Sequence, residues 1–213
     1  MKRSFAFSRR APLTLLAAVP ALSLSAAASA ADGVSYNYIE AGYAATRLHD
    51  SDIDADGFGA NASVALHPNF HLFGGYSGQQ SDQFIVGGAN VEVDVDQWRV
   101  GLGYNHAIAG NTDLVACAAY EKFEVDDVTV NGVRFDSGEG GDGYSAEVGV
   151  RSALMPNFEG YALAGYEDYG DDGDDFYGRV GAQLKFNQSW GVNGDVKFAD
   201  GDIQYFVGPR LTW

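Results

Sequence analysis

Beyond residue 30 the apolar residues of this chain fall on every second position, and that period limits what it can fold into. Successive side chains of an extended strand point to opposite faces, so each segment separates into two interleaved sets. Between 57 and 66 one set reads Phe58, Ala60, Ala62, Val64, Leu66 and the other Gly57, Gly59, Asn61, Ser63, Ala65. The same division recurs near 91-105 (Trp98, Val100, Leu102, Tyr104 against Arg99, Gly101, Gly103, Asn105) and near 143-154 (Tyr144, Ala146, Val148, Val150 against Ser145, Glu147, Gly149, Arg151). Near 175-186, Phe176, Val180, Leu184 and Phe186 alternate with Tyr177, Arg179, Gln183 and Lys185. Ten segments follow this rule, near 34-46, 57-66, 69-78, 91-105, 112-124, 143-154, 157-168, 175-186, 190-199 and 203-213. No run after residue 30 approaches the roughly 20 apolar residues of a membrane helix.

The first thirty residues have a different character. Lys2, Arg3, Arg9 and Arg10 precede an apolar stretch from about Leu13 to Leu24, which contains Pro20, and then Ala28-Ser29-Ala30. A basic head, a short apolar body and an A-x-A site describe a secretory signal cleaved after Ala30. Ser8-Arg9-Arg10 is followed by Ala11 and Pro12, which favours an ordinary basic head over a twin-arginine signal. The expected division is a signal peptide, 1-30, and one domain, 31-213. Loss of the four leader bases from 13 leaves 9 against 29 acidic residues, a mature charge of −20. Such a surface repels nucleic acid and anionic lipid. The lone cysteine, Cys117, excludes an intramolecular disulfide and is expected to pack inward.

The links between segments alternate in kind. Short or moderate ones lie at 67-69, around 107-112, at 155-157 and at 187-189; longer or more acidic ones lie near 47-56, 78-91, 125-143, 169-175 and 199-202. Ala65-Leu66-His67-Pro68-Asn69-Phe70 is echoed by Ala153-Leu154-Met155-Pro156-Asn157-Phe158, a repeat of hairpins. Aromatics mark the apolar face at both strand ends. Tyr43, Phe58, Tyr76, Trp98, Tyr120, Tyr144, Tyr166, Phe176, Phe198 and Tyr205 stand next to the longer links, and Phe70, Tyr104, Phe158, Phe186, Trp190 and Trp213 at the opposite end. Rings collect at membrane interfaces, and pairs such as Trp190/Phe198 are separated by roughly 20 Å of depth for strands tilted near 40°.

These features predict an all-β, antiparallel, up-and-down transmembrane β-barrel of ten strands in a bacterial outer membrane, with its apolar face on lipid. A soluble barrel would reverse the two faces. The inward set then holds Glu40, Glu121, Glu147, Glu159, Glu167 and Asp195 with Arg99, Arg151, Arg179, Lys185, Lys197 and Arg210. Buried charges persist only when paired and hydrogen-bonded, so a salt-bridged, plugged interior is expected. The excess negative charge belongs to the loops.

The chain ends Gly208-Pro209-Arg210-Leu211-Thr212-Trp213. Gly208, Leu211 and the terminal Trp213 resemble the signal strand read by the barrel-assembly machinery of Gram-negative bacteria, which with periplasmic chaperones would be a transient partner. A closer resemblance rests on Ser35-Tyr36-Asn37-Tyr38-Ile39-Glu40, Pro68-Asn69-Phe70-His71-Leu72-Phe73-Gly74-Gly75-Tyr76, Asp96-Gln97-Trp98-Arg99-Val100-Gly101 and Gly165-Tyr166-Glu167-Asp168-Tyr169. Gly194-Asp195-Val196-Lys197-Phe198 and Phe206-Val207-Gly208-Pro209-Arg210 extend it over the mature chain. Together these resemble the Ax family of outer-membrane barrels, named for activation of rice XA-type immunity and also filed under diffusible-signal regulation or quorum sensing. The resemblance implies a cell-surface location and a link to signalling, virulence and membrane vesicles. The family's proposed sulfated tyrosine would fall on Tyr36, which belongs to the inward set of the first segment.

Asp50, Asp52, Asp54 and Asp56 superficially suggest a calcium loop, but Gly57 is two positions late and the twelfth position is Asn61. Asp171, Asp172, Asp174 and Asp175, beside Asp168, form a second acidic group. Either group could hold calcium or magnesium weakly and bridge to lipopolysaccharide phosphates; the alternative is a solvated acidic loop. No resident cofactor is expected. The four histidines are scattered: His49 in a link, His67 and His106 at turns, His71 inward. Only His49 beside Asp50 stands at the mouth, so no catalytic set is expected. The functional expectation is a non-enzymatic surface barrel of structural or adhesive type acting through acidic loops, with a small-solute channel or a component of intercellular signalling as alternatives.

Overall fold

The two-residue period produces ten long strands that pair edge to edge until the sheet closes on itself. A computed structural model describes residues 30–49 and 54–213; the expected leader, Asp50 and Asp52 lie outside the described residues, apart from Ala30. The strands are β1 (Tyr38–Arg47), β2 (Asp54–His67), β3 (Phe70–Ser81), a short β4 (Phe84–Val86), β5 (Ala89–Ala109), β6 (Thr112–Val130), β7 (Val133–Met155), β8 (Phe158–Asp168), β9 (Asp174–Lys185), β10 (Trp190–Ala199) and β11 (Asp202–Thr212). Chain neighbours pair antiparallel except β3 and β4; β4 pairs only with β5, β5 also pairs with β3, and β11 returns to β1 with Tyr38 opposite Thr212. With β4 set aside as a loop element, the wall is a closed ten-stranded up-and-down barrel. Closure leaves no unpaired edge in the wall, the condition for a sheet to stand in hydrocarbon. Among the described residues no helix is long and apolar enough to cross a membrane.

The distribution of polarity is inverted relative to a soluble protein. The largest fully buried side chains are Glu159, Asn105, Asn193 and Asp113, whereas Phe58, Leu72, Val100, Leu102, Tyr144, Val148, Phe176 and Val207 are exposed on the outer face. The aromatics of the expected belts lie on that outer face and meet across strand pairs. Tyr43 is opposite Phe58, Tyr76 opposite Trp98, Tyr120 opposite Tyr144 and Tyr166 opposite Phe176. The rings of Trp98 and Tyr120, and of Tyr166 and Phe176, have centroids 5.4 and 5.0 Å apart. At the other end Phe70 and Tyr104 are 5.2 Å apart.

Three expectations are corrected. The first strand begins at Tyr38, not near 34, and residues 31–37 instead fold against the barrel floor, where Ala31, Val34 and Tyr36 form a buried apolar cluster with Ala65 and Val115. The links expected near 78-91 and 125-143 are ordered: β5, β6 and β7 run on past the Trp98–Tyr120–Tyr144 belt as a sheet, with β4 beside β5. The link near 199-202 is a two-residue turn. The physical reason is turn chemistry. Gly87-Gly88, Asn131-Gly132 and Asp200-Gly201 each place both residues at positive φ, between 45° and 89°, as a type I′ turn requires; such turns match strand twist and let pairing continue to the tip. The floor carries the other turns, at 67–70, 109–112, 155–158 and 185–190, together with both ends of the wall.

Candidate functional site

Two features stand out as candidate functional surfaces: the charged lumen and the sheet that rises beyond the mouth. In the lumen, the inward set of each strand brings opposite charges together. Near the floor the Arg151 guanidinium donates to Glu159, whose carboxylate also lies 3.1 Å from Lys185 Nζ. Arg210 Nε donates to Glu40 Oε2 at 2.6 Å, while Asn61 donates to the other Glu40 oxygen at 3.1 Å. Midway, Arg179 Nε reaches Asp195 at 2.9 Å and its far nitrogen lies 4.0 Å from Glu147. Arg99 stands 3.7 and 3.8 Å from Glu121 and Glu147, and Lys197 lies 2.5 Å from Glu167. All twelve residues expected in the interior therefore take part in ion pairs, one cluster of five residues around Arg99 and Arg179, one of three around Glu159, and the separate pairs Lys197–Glu167 and Arg210–Glu40.

Sequence reasoning missed the aromatic half of this network. Tyr177 donates to Glu147 at 3.0 Å, Tyr161 to Asp195 at 2.5 Å and Tyr169 to Glu121 at 3.0 Å. Rings also cover the cations, with Tyr38 4.1 Å from the Arg210 guanidinium carbon and Tyr177 4.5 Å from Lys197 Nζ. Each large inward ring needs a vacancy beside it, and glycine provides one. Tyr177 lies opposite Gly165, Tyr161 opposite Gly181, Phe73 opposite Gly101 and His71 opposite Gly103, and a Cβ added to any of the four would collide with the facing ring. The usable signal was the run of glycines on the inward sets. Asp113 was also missed, although alternation along β6 places it on the inward side; it is 0% exposed.

Two cavities lie in the lumen beside the ion pairs. A cavity of about 90 Å³ lies toward the floor, lined by Tyr36, Tyr38, Glu40, His71 and Arg151, and one of about 390 Å³ lies toward the mouth, lined by Glu121, Tyr169, Lys197 and Gln204. Asn61, Arg99 and Arg179 line both. Cys117 is half-buried and lines the floor cavity.

Beyond the mouth, residues 82–96 and 122–142 carry ten acidic side chains against Lys122 and Arg134. Arg134 bridges Asp94 and Asp127, both at 3.2 Å, and Lys122 donates to Glu124. Gln83 donates to Glu92 at 2.7 Å, and the Asn90 backbone donates to Asn131 Oδ1 at 3.0 Å, tying the residue before β4 and the turn between β6 and β7 to β5. Asp126 is exposed here; local desolvation, and next the charge of Asp96, raise its pKa above the ordinary aspartate value. Ile85, Val86, Val133 and Phe135 are all more than half exposed near the tips.

Among the described residues the acidic side chains considered as metal ligands do not pool; Asp50, Asp52 and the side chain of Asp172 lie outside what the structure describes. Asp54 pairs with Arg47, Asp174 accepts from Tyr166 at 2.8 Å, and among the described residues no three acidic, histidine or cysteine side chains converge as a metal site. Asp56 lies on β2, Asp171 is exposed in the turn at Gly170–Asp172 and Asp175 lies on β9. The His49 backbone N–H donates to Asp202 Oδ1 at 2.8 Å. Tyr36 is 4% exposed, stacks on His71 at 4.4 Å and donates to Asp113 at 2.9 Å. At the closure seam, Gly208 and Gly42 come so close to the opposing backbones that a Cβ on either would meet a carbonyl oxygen. Leu211 pairs with Ile39, and the Trp213 N–H donates to Asn37 O at 3.2 Å.

A closed barrel with apolar side chains outside and paired ions inside defines a transmembrane β-barrel of the outer-membrane type. The family model for the outer membrane protein beta-barrel domain matches residues 14–177, and the chain belongs to that family. No curated protein matches it by sequence. Similar solved structures include Ail, the attachment invasion locus protein of Yersinia pestis, 15% identical over 84% of this chain and all of that one, TM-score 0.42. Neisserial surface protein A is 14% identical over 84% of this chain and 98% of that one, TM-score 0.45. The KdgM porin is 12% identical over 84% and 99%, TM-score 0.44.

Proposed function

We propose that this outer-membrane barrel is a surface-binding protein of structural or adhesive type, and that its working part is the acidic sheet above the mouth. The carrying observation is that β5, β6 and β7 continue as paired strands for about ten residues past the aromatic belt, roughly 30 Å of extended chain. A spanning wall does not need that length, and long ordered strands present a fixed pattern of side chains where an irregular loop would not. The excess of carboxylates selects cationic surfaces or surfaces joined through divalent ions, and the exposed Ile85, Val86, Val133 and Phe135 supply apolar contact once charge has brought a partner close. The test is to replace residues 124–141 by a two-residue Asn-Gly turn and compare cells for attachment to a polylysine-coated and an uncoated surface. Selective loss of attachment to polylysine with the barrel still heat-modifiable supports the reading; unchanged attachment overturns it.

A channel is the second reading, and the mouth cavity favours it. Its weakness is the set of ion pairs beside the two cavities, which would have to open for a solute to pass. Planar-bilayer recordings separate the two, since a barred lumen gives no steady current. The resemblance to the Ax family adds a third reading, a part in intercellular signalling. There the buried Tyr36 favours an intact barrel carried in vesicles over a freely diffusing segment, and recovery of the barrel from vesicle-free supernatant would count against this.

A further inference from the structure

We propose that Asp113 is the receptor for the amino group of the mature chain: cleavage after Ala30 creates a cation at Ala31 that completes the barrel floor. The Ala31 nitrogen lies 2.9 Å from Asp113 Oδ1, and the Tyr36 hydroxyl donates to Oδ2 at 2.9 Å. Asp113 is 0% exposed, Ala31 5%. A buried carboxylate is costly unless it is paired and hydrogen-bonded, yet among the described residues no arginine, lysine or histidine forms an ion pair with Asp113; Arg151, in the floor network, is engaged by Glu159. Counted with the twelve ion-paired residues of the lumen, Asp113 leaves seven carboxylates against six cations. Hydrolysis of the Ala30–Ala31 bond gives the water hydroxyl to the Ala30 carbonyl and a hydrogen to the Ala31 nitrogen. Protonation of that nitrogen then supplies the seventh cation at hydrogen-bonding distance from Asp113.

The segment is held so that the nitrogen stays there. Asp32 N–H donates to Gly110 O in the floor turn at 2.8 Å, Val34 N–H to Ala31 O at 3.0 Å, and Lys185 Nζ donates to Gly33 O. Val34 and Tyr36 anchor the far side in the apolar floor cluster. Processing and folding are thereby linked, because a chain that keeps its leader offers Asp113 only a neutral amide.

The inference rests on cleavage after Ala30, so the mature protein is first sequenced from its N-terminus; a start other than Ala31 overturns it at that step. The folded barrel in detergent is then treated near neutral pH with an amine-acylating ester and the N-terminal peptide quantified by mass spectrometry. Only the neutral amine reacts, and pairing that raises its pKa by one unit or more slows acylation about tenfold. The wild type should react at least about that much more slowly than Asp113→Asn, which keeps the side-chain shape but removes the charge. A wild-type chain with one glycine added before Ala31, whose amine is displaced, should react as fast as the unfolded chain; it provides the comparison if Asp113→Asn does not fold. Equal rates in wild type and the folded variants would overturn the proposal.

Discussion

At the scale of single residues, the interior is governed by the cost of an unmatched charge. Glu40 and Arg210 are 5% and 3% exposed and face each other across the closure seam. Glu40→Ala leaves the guanidinium with the Tyr38 ring but no anion, and breaking a buried pair in this way costs about 3–5 kcal/mol. Denaturant unfolding of the refolded barrel should show that loss. Outside the membrane the logic reverses for Asp126, whose pKa is raised. Its neutral form is favoured in the folded tip, so its stabilising contribution is complete below the unfolded aspartate value of about 4 and is lost as pH rises through the folded value. Amide exchange at the tip, corrected for its intrinsic pH dependence, should report greater protection at the lower pH, and Asp126→Asn should remove that dependence. The inward charges were legible from alternation alone, residue by residue. Their partners were not, since Arg210 and Glu40 are 170 positions apart.

At the scale of elements, the barrel is built by matching large inward rings with glycines on the next strand. Gly181→Ala would drive a methyl into the Tyr161 ring, and overpacking of this kind costs about 1–3 kcal/mol. Unfolding of that variant should show the loss, and the double variant with Tyr161→Phe should not recover it, because the ring and not only its hydroxyl occupies the site. Strand existence was readable throughout the wall, because each segment keeps a strict two-residue period. Strand length was not. Residues near 125-143 are rich in Asp, Glu and Gly, and their apolar alternation is limited to Val128/Val130 and Val133/Phe135, too short for a lipid-facing strand, so they read as an irregular link. Their order comes from pairing with β5 and β6 and from the Asn131-Gly132 turn, a signal present in the sequence and legible on that ground. Residues 31–37 show the opposite error: Tyr36 keeps the alternation of β1, but its place is set by His71 and Asp113 on other strands.

At the scale of the whole molecule, the outer face must meet hydrocarbon. Val148 lies on it, 52% exposed between the aromatic belts. An arginine near the middle of the bilayer costs about 2–4 kcal/mol on such a face, so Val148→Arg should lower the yield of heat-modifiable barrel in lipid vesicles. A soluble barrel would take the same change on its outer face at little cost. Removal of residues 124–141 should leave that yield close to wild type, since the wall closes without the protruding sheet.

What the sequence determined by itself is the partition of side chains: which belong to lipid, which to the lumen, and how many strands are needed to use them all. That follows from local geometry, because alternation is a property of one extended strand and needs no partner. Tertiary structure decided who meets whom. The ion pairs, the rings over glycines, the floor segment and the reach of β5 to β7 all depend on closure. Contacts across a closed lumen join residues far apart in the chain, and only the register of the complete ring sets their distances.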